Sequence, residues 1–170
     1  SRYSLNTGIY WVLLVISTAE QEHYDLVNTL GCDSLTWYAQ SGDNNDYSYK
    51  TSIHKRTIDR LNMLFTAKGN KDITPCFTGS FFNKPMWTHS LSGPINWGNA
   101  NVYTNVANPS EYAEALSEVV QWANARNCKT MIIYAWNEHY EGGIVLCPRQ
   151  KADGTPNTDY VNAVKGVLNP

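Results

Sequence analysis

Apolar positions along the chain change their period in a regular way. Residues 8–16 (GIYWVLLVI) are a continuous, partly β-branched apolar run, the pattern of a strand covered on both faces. A helix is expected directly after it. Ser17 and Glu20 stand at capping-box spacing, Leu26, Val27 and Leu30 make an apolar stripe, and Gly31 terminates it. Residues 33–39 (DSLTWYA) predict a second strand, and residues 40–49 are too rich in Gly, Asp and Asn for regular structure. Ile58, Leu61, Leu64 and Phe65 repeat at helical spacing, which predicts a helix over 50–67 closed by Gly69. A third strand is expected over 73–78. Residues 79–107, with Pro85, Trp87, Pro94 and Trp97, read as one irregular connection, longer than loops usually run without a function. Asn108, Pro109 and Glu111 then supply the N-cap, N1 and N3 positions of a helix that buries Tyr112, Leu116, Val119 and Ala123. Residues 129–136 (KTMIIYAW) predict a fourth strand. After a loop containing Gly and Pro, a last helix is expected over 158–168, with Tyr160, Val161, Val164 and Leu168 inward.

Strand and helix thus alternate four times, and right-handed crossovers make such a series an α/β fold with a parallel sheet covered by helices. Two architectures fit: an open doubly wound sheet, and four βα units of a TIM (β/α)8 barrel, whose usual length of about 250 residues exceeds this chain. In either, ligands meet the C-terminal ends of the strands. No GxGxxG follows the first strand and no GxxxxGK[ST] occurs, so the usual phosphate cradle of a nucleotide fold is missing.

With 170 residues and 42% hydrophobic content, the chain can bury one sizeable core, and a single domain over 1–170 is expected. Thirteen Lys and Arg against 15 Asp and Glu leave a net charge of -2, which provides no cationic field for nucleic acid. The apolar run at 9–16 is far shorter than the roughly 20 residues of a membrane helix, so no membrane partner is expected. Cys32, Cys76, Cys128 and Cys147 show no CxxC spacing. Both buried thiols and a disulfide formed in an exported compartment are open for them. Extracellular or periplasmic residence is the expectation that suits the function type and the four cysteines.

Candidate chemistry is sought at the strand ends: Trp37-Tyr38-Ala39, Thr78-Gly79-Ser80 and the stretch 136–143 (WNEHYEGG). Glu138 and Glu141 lie three residues apart, and on a helical turn their carboxylates come within roughly 5–6 Å of each other. Retaining glycosidases hold their two carboxyl groups about 5–5.5 Å apart, and like charge with partial burial separates two such pKa values into an acid and a base. Gly142 and Gly143 let backbone approach a ligand. The same spacing also fits a solvated turn in which Glu138 pairs with a nearby Lys or Arg. His139 lacks the second imidazole of an HExxH arrangement, so no metal is expected, and Ser17 and Ser80 lack a GxSxG context. Trp37, Tyr38, Trp87, Trp97, Trp136 and Tyr140 supply flat rings suited to sugar C–H faces, although Trp37 and Trp136 would equally fill a core.

The stretch 132–143 (IIYAWNEHYEGG), with Cys147-Pro148 and Asp153-Gly154 downstream, resembles the WNE-x-x-EGG signature of glycoside hydrolase family 99 and related proteins. Endo-α-mannosidases and endo-α-mannanases belong there, as do WbsX-type proteins of polysaccharide loci. Residues 31–38 (GCDSLTWY), 73–79 (ITPCFTG) and Lys84-Pro85 are similar to strands six and seven of that barrel and the chain after them. The resemblance implies the C-terminal half of a (β/α)8 barrel and a retaining hydrolase acting on α-linked, mannan-like polysaccharide or glycan. It implies that Glu138 is a base on the substrate 2-hydroxyl, giving a 1,2-anhydro sugar. Glu141 then protonates the leaving oxygen and later activates water. Trp136, Asn137, Tyr140, Tyr38 and Trp87 are the expected sugar-binding residues, and acid–base glycoside chemistry needs no cofactor.

The chain departs from that family in three respects. It shows four βα units where the family has eight, Gly79-Ser80-Phe81 stands where Gly-Trp-Asp is usual, and His139 and Tyr140 replace other residues between the two glutamates. A half barrel exposes strand edges and an apolar face, so the chain is expected to be a fragment, to pair with a second chain, or to dimerise. The alternative to an enzyme is a noncatalytic carbohydrate-binding or assembly subunit, whose glutamates accept hydrogen bonds from glycan hydroxyls.

Overall fold

A computed structural model describes residues 8–15, 21–38, 48–67, 72–79, 107–134, 149–150 and 153–169. Its elements are β1 (Val12–Val15), α1 (Gln21–Leu30), β2 (Ser34–Trp37), a π-helical turn (Lys50–His54) running into α2 (Lys55–Ala67), β3 (Cys76–Thr78) and α3 (Pro109–Ala125). β4 (Ile132–Tyr134), the short strands β5 (Arg149–Gln150) and β6 (Pro156–Asn157), and α4 (Asp159–Leu168) complete the series. The Ser17–Glu20 capping box, Gly69 and the connection from Ser80 to Val106 lie outside the described residues.

β1 and β2 pair in parallel, with Val12 opposite Ser34 and Val15 opposite Trp37. β3 and β4 pair likewise, with Cys76 opposite Ile132 and Thr78 opposite Tyr134. A parallel bridge between Leu35 and Ile73 joins the two pairs. Leu35 N–H donates to the Asp72 carbonyl at 3.4 Å, and Thr74 N–H donates to the Leu35 carbonyl at 2.9 Å. The strand expected over 73–78 is thereby divided into the bridge residue Ile73 and β3, and Pro75, which has no N–H to give, lies between them. Its carbonyl still accepts from Ile132 N–H at 2.8 Å. From β1 to β4 each strand therefore neighbours the next in the chain. No reversal of order occurs among the described strands, whereas a doubly wound sheet reverses at its switch point.

Side chains alternate across these strands. Leu35, Trp37, Ile73 and Phe77 share the face that the helices cover. The Phe77 ring meets Tyr112 of α3 edge-on at 4.9 Å, and the Arg60 guanidinium of α2 lies 5.4 Å over Trp37. Ser34, Thr36, Thr74, Cys76 and Thr78 share the opposite face, where they too are buried. The Ser34 and Thr74 hydroxyls share a 2.7 Å hydrogen bond across it.

Local signals explain most helix ends. Gly31 takes φ +72° and Cys32 N–H donates to the Val27 carbonyl at 3.0 Å, a Schellman ending for α1. Asn127, with φ 54°, plays the same part after α3, where Cys128 N–H donates to the Ala123 carbonyl at 3.0 Å. At the start of α3, the Asn108 side chain accepts from Ser110 and Glu111 N–H groups, and Glu111 accepts from Asn108 N–H at 2.9 Å. α3 buries the expected Tyr112, Leu116, Val119 and Ala123, and adds Ala115 and Trp122. Trp122 N–H donates to Asn62 of α2 at 2.9 Å, which locks the two helices together.

Four expectations need correction. Only Val27 of the α1 stripe is buried, while Leu26 and Leu30 are 43% and 61% exposed, because they share a helix face that no described element covers. In α4 the inward residues are Tyr160, Ala163, Val164 and Val167, at the 3-4-7 spacing of one stripe, and Val161 and Leu168 turn outward. The first turn of the second helix is π rather than α, which brings the consecutive residues Ser52, Ile53 and His54 all inward. The loop before α4 holds an antiparallel β5–β6 hairpin, stabilised where Thr155 N–H and Oγ1 donate to Asp153 Oδ1 at 2.9 and 2.6 Å and Gly154 takes φ +82°.

Asn108→Ala removes the acceptor for two helix N–H groups, and denaturant unfolding should show a loss of about 1 kcal/mol. Phe77→Ala opens a cavity between the sheet and α3 and should cost about 3–5 kcal/mol in the same assay.

Candidate functional site

The parallel strands bring their C-terminal ends to one edge of the sheet: Val15, Trp37-Tyr38, Thr78-Gly79 and Tyr134. Tyr38 extends the β1–β2 ladder by one residue, its N–H donating to the Val15 carbonyl at 2.9 Å. By strand alternation its side chain stands on the hydroxyl-bearing face, and its ring meets Tyr134 edge-on at 5.0 Å and 65°. Tyr38 is 36% exposed and Tyr134 5%, so one ring offers a surface and the other supports it. Cys76 Sγ donates to the Tyr38 carbonyl at 3.4 Å from below. Beneath this rim lies a floor of Thr36, Cys76, Ser34 and Thr74. The Thr36 hydroxyl is buried and has no hydrogen-bond partner among the described residues.

Tyr49, buried at the return from the polar loop, donates its hydroxyl to the Thr78 carbonyl at 3.1 Å and so fixes the end of β3. Its ring stacks on His54 at 6.5 Å, and His54 Nε2 meets Glu118 Oε2 of α3 at 2.6 Å. Sequence reasoning missed Tyr49 and His54. Their only signal is a Tyr and a His flanking the start of a helix, and their roles depend on which helix lies alongside. A shallow groove of 340 Å³ beside them, between α2 and α3, is lined by Lys50, His54, Asp59 and Glu118. Its cations are neutralised locally, Lys50 by Glu114 at 2.8 Å and Lys55 by Asp59.

Of the residues expected to bind sugar, Tyr38 is the one described, and it stands at the strand-end edge. Trp136, Asn137, Glu138, Tyr140, Glu141 and Trp87 lie outside the described residues, as do Trp97, Ser80, His139 and Cys147. Trp37 is 1% exposed on the helix face and serves the core. Cys32, Cys76 and Cys128 are free thiols. Burial pushes the Cys76 thiol up to about 12, which removes it as a nucleophile. Among the described residues no group of three or more His, Cys, Asp or Glu is placed to hold a metal, and no helix is long and apolar enough to cross a membrane.

The chain matches no family model and no curated protein.

Burial raises the pKa of Cys76, and also those of the Tyr49 and Tyr112 phenols. These groups keep their protons in the folded chain at pH values where the unfolded chain has begun to release them. Their stabilising effect is complete below about pH 9 and is lost as pH rises. Urea melts from pH 8 to pH 10.5 should show stability falling, by about 1.4 kcal/mol per pH unit for each such group that titrates in the unfolded state. Cys76→Ala should flatten that slope.

Proposed function

We propose that this chain carries the catalytic edge of a retaining glycoside hydrolase that acts on α-linked, mannan-like polysaccharide or glycan, with Glu138 and Glu141 as its acid–base pair. The supporting observation is the position of Tyr134. It ends β4 at the edge where the parallel strands finish, opposite Thr78 and against the exposed ring of Tyr38. Glu138 follows Tyr134 by four residues, a span of no more than about 14 Å of extended chain. In parallel βα folds that edge is where substrates bind. The neighbour order β1-β2-β3-β4 is also the order of successive units in a barrel wall.

On this reading Glu138 removes the proton of the sugar 2-hydroxyl, and O2 attacks C1 as the glycosidic C1–O bond breaks. Glu141 gives its proton to the departing oxygen. Water, deprotonated by Glu141, then opens the 1,2-anhydro ring at C1, and O2 recovers its proton from Glu138. Two displacements at C1 retain configuration. An internal nucleophile needs no entropy to find its target, which suits a base and an acid carried on one turn. Tyr38 supplies an apolar ring face with a polar edge, which fits stacking on a pyranose.

Glu138→Gln keeps shape and removes the base. Turnover of an α-mannan oligosaccharide should fall by about 10²–10⁴-fold, while the oligosaccharide still binds in calorimetry. Undiminished turnover would remove Glu138 from the chemistry, and binding without turnover in the unaltered chain would assign it to a carbohydrate-binding subunit instead. Tyr38→Ala should weaken oligosaccharide binding by about 3–10-fold, the range of one aromatic contact.

A further inference from the structure

Buried hydroxyls gather at the centre of one face of the sheet. Because Leu35 bridges Ile73, Thr36 and Thr74 take neighbouring positions on the face opposite to theirs, and Ser34 precedes Thr36 on that same side. The Ser34 and Thr74 hydroxyls bond each other at 2.7 Å, which leaves the pair with a proton to give and lone pairs to spare. Tyr10 stands before β1 with the parity of Val12 and Leu14, the residues opposite Ser34 and Thr36, and its phenol comes up beside the bonded pair. Burial raises the Tyr10 pKa, and the Ser34 and Thr74 hydroxyls oppose that rise. Neither meets it in hydrogen-bond geometry. The Tyr10 and Thr36 hydroxyl oxygens are both closed to bulk solvent and have no hydrogen-bond partner among the described residues.

Two unserved hydroxyls beside a bonded pair differ from one isolated defect. Each would oppose folding if left unsatisfied, and Val or Phe would fill the same space without that cost. Ordered water satisfies such groups where two to four polar partners converge, which is what Tyr10, Ser34, Thr36 and Thr74 provide here. Solvent is close by. Leu14 and Ile132, on the same face in the outer strands, are exposed, whereas Thr36 between them is 1% exposed. We infer that the centre of this face is a water-binding site, in which at least one ordered water is held by the Thr36 hydroxyl and the Ser34–Thr74 pair, with Tyr10 at its other side. Thr36 precedes Tyr38 by two strand residues, so the site lies roughly 7 Å below the edge where the strands end. It forms a polar floor beneath the Tyr38 and Tyr134 rings. The inference stands apart from the carbohydrate reading, since neither Glu138 nor Glu141 nor a sugar takes part in it.

A high-resolution crystal structure of the 170-residue chain should show a water about 2.7–3.0 Å from Thr36 Oγ1 and within the same reach of at least one of the other three hydroxyls. In solution, the Thr36 methyl group of the unaltered chain should show a nuclear Overhauser effect to long-lived water. Thr36→Val keeps the shape and removes the hydroxyl. With water bound there, the variant should lower the folding equilibrium constant in urea melts by about fivefold, the loss of one hydrogen bond, and remove one long-lived water from the oxygen-17 relaxation dispersion. Tyr10→Phe should change both readings in the same direction. Without bound water, Thr36→Val exchanges an unsatisfied hydroxyl for a methyl group and should raise the urea midpoint. A more stable Thr36→Val chain, an unchanged count of long-lived waters, or a Thr36 hydroxyl bonded to protein with no water beside it would overturn the inference. If Thr36→Val does not fold, the crystal structure and the methyl–water effect in the unaltered chain still decide it.

Discussion

The sheet depends on Leu35, the residue at which β2 is paired on both sides. Its neighbours Ser34 to Trp37 pair with β1, while its own N–H and carbonyl hold Asp72 and Thr74 on the other side. Without that bridge the β1–β2 and β3–β4 pairs would be two separate ribbons, and their C-terminal ends would share no edge. The bridge is short, confined to Leu35 and Ile73. Packing compensates for the missing ladder bonds: Leu35, Ile73 and Phe77 are buried beneath the helices, and Ser34 and Thr74 close the gap on the opposite face with a hydroxyl pair. The edge that gathers Tyr38, Thr78 and Tyr134 follows from this one junction.

The two faces of the sheet solve different problems. The helix face is apolar and jointed by aromatic contacts, Phe77 to Tyr112 and Trp37 beneath Arg60. On the other face the central positions, Ser34, Thr36, Thr74, Cys76 and Thr78, are short hydroxyl and thiol side chains, buried yet polar, while the register adds Val12, Leu14 and Ile132 in the outer strands. The centre of that face lacks the large branched residues of fully covered parallel strands. Hydroxyls below a rim of tyrosine rings suit a cavity that admits water and polyols. The Thr36 hydroxyl, buried without a partner among the described residues, is a group such a cavity would satisfy.

Legibility in the sequence followed the range of the interactions. The start of α3 was read to the residue, because Asn108, Pro109 and Glu111 form its cap within four positions, and the four residues expected in its stripe are buried. The end of α1 was readable from Gly31 for the same reason. The sequence could not say which side of α1 or α4 meets a neighbour, since both are terminal helices of the array and their apolar residues exceed one stripe. Trp37 and Tyr38, adjacent aromatics at a strand end, were separable only by strand parity: one entered the core and the other the rim. The π turn depends on packing Ser52, Ile53 and His54 together, and the Tyr49–His54–Glu118 line depends on α3 lying beside α2; neither leaves a local pattern. The proposal for Glu138 and Glu141 rests on their spacing and their WNE-x-x-EGG setting alone, which constrain residue type and leave the walls of a cleft unspecified, and both lie outside the described residues.

Those walls are the remaining physical requirement. Acid–base cleavage of a glycoside needs its carboxylates in a site that excludes bulk water, because one of the pair must keep its proton near neutral pH. A single sheet edge with Tyr38 more than a third exposed leaves the solvent side open. The same four units that gather the strand ends also leave β1 and β4 without outer partners among the described residues, with apolar stripes beside them. Under the proposed reading, further strands added beside β1 and β4, whatever chain supplies them, would cover Leu30 and Leu168 and raise a wall facing Tyr38 in the same step.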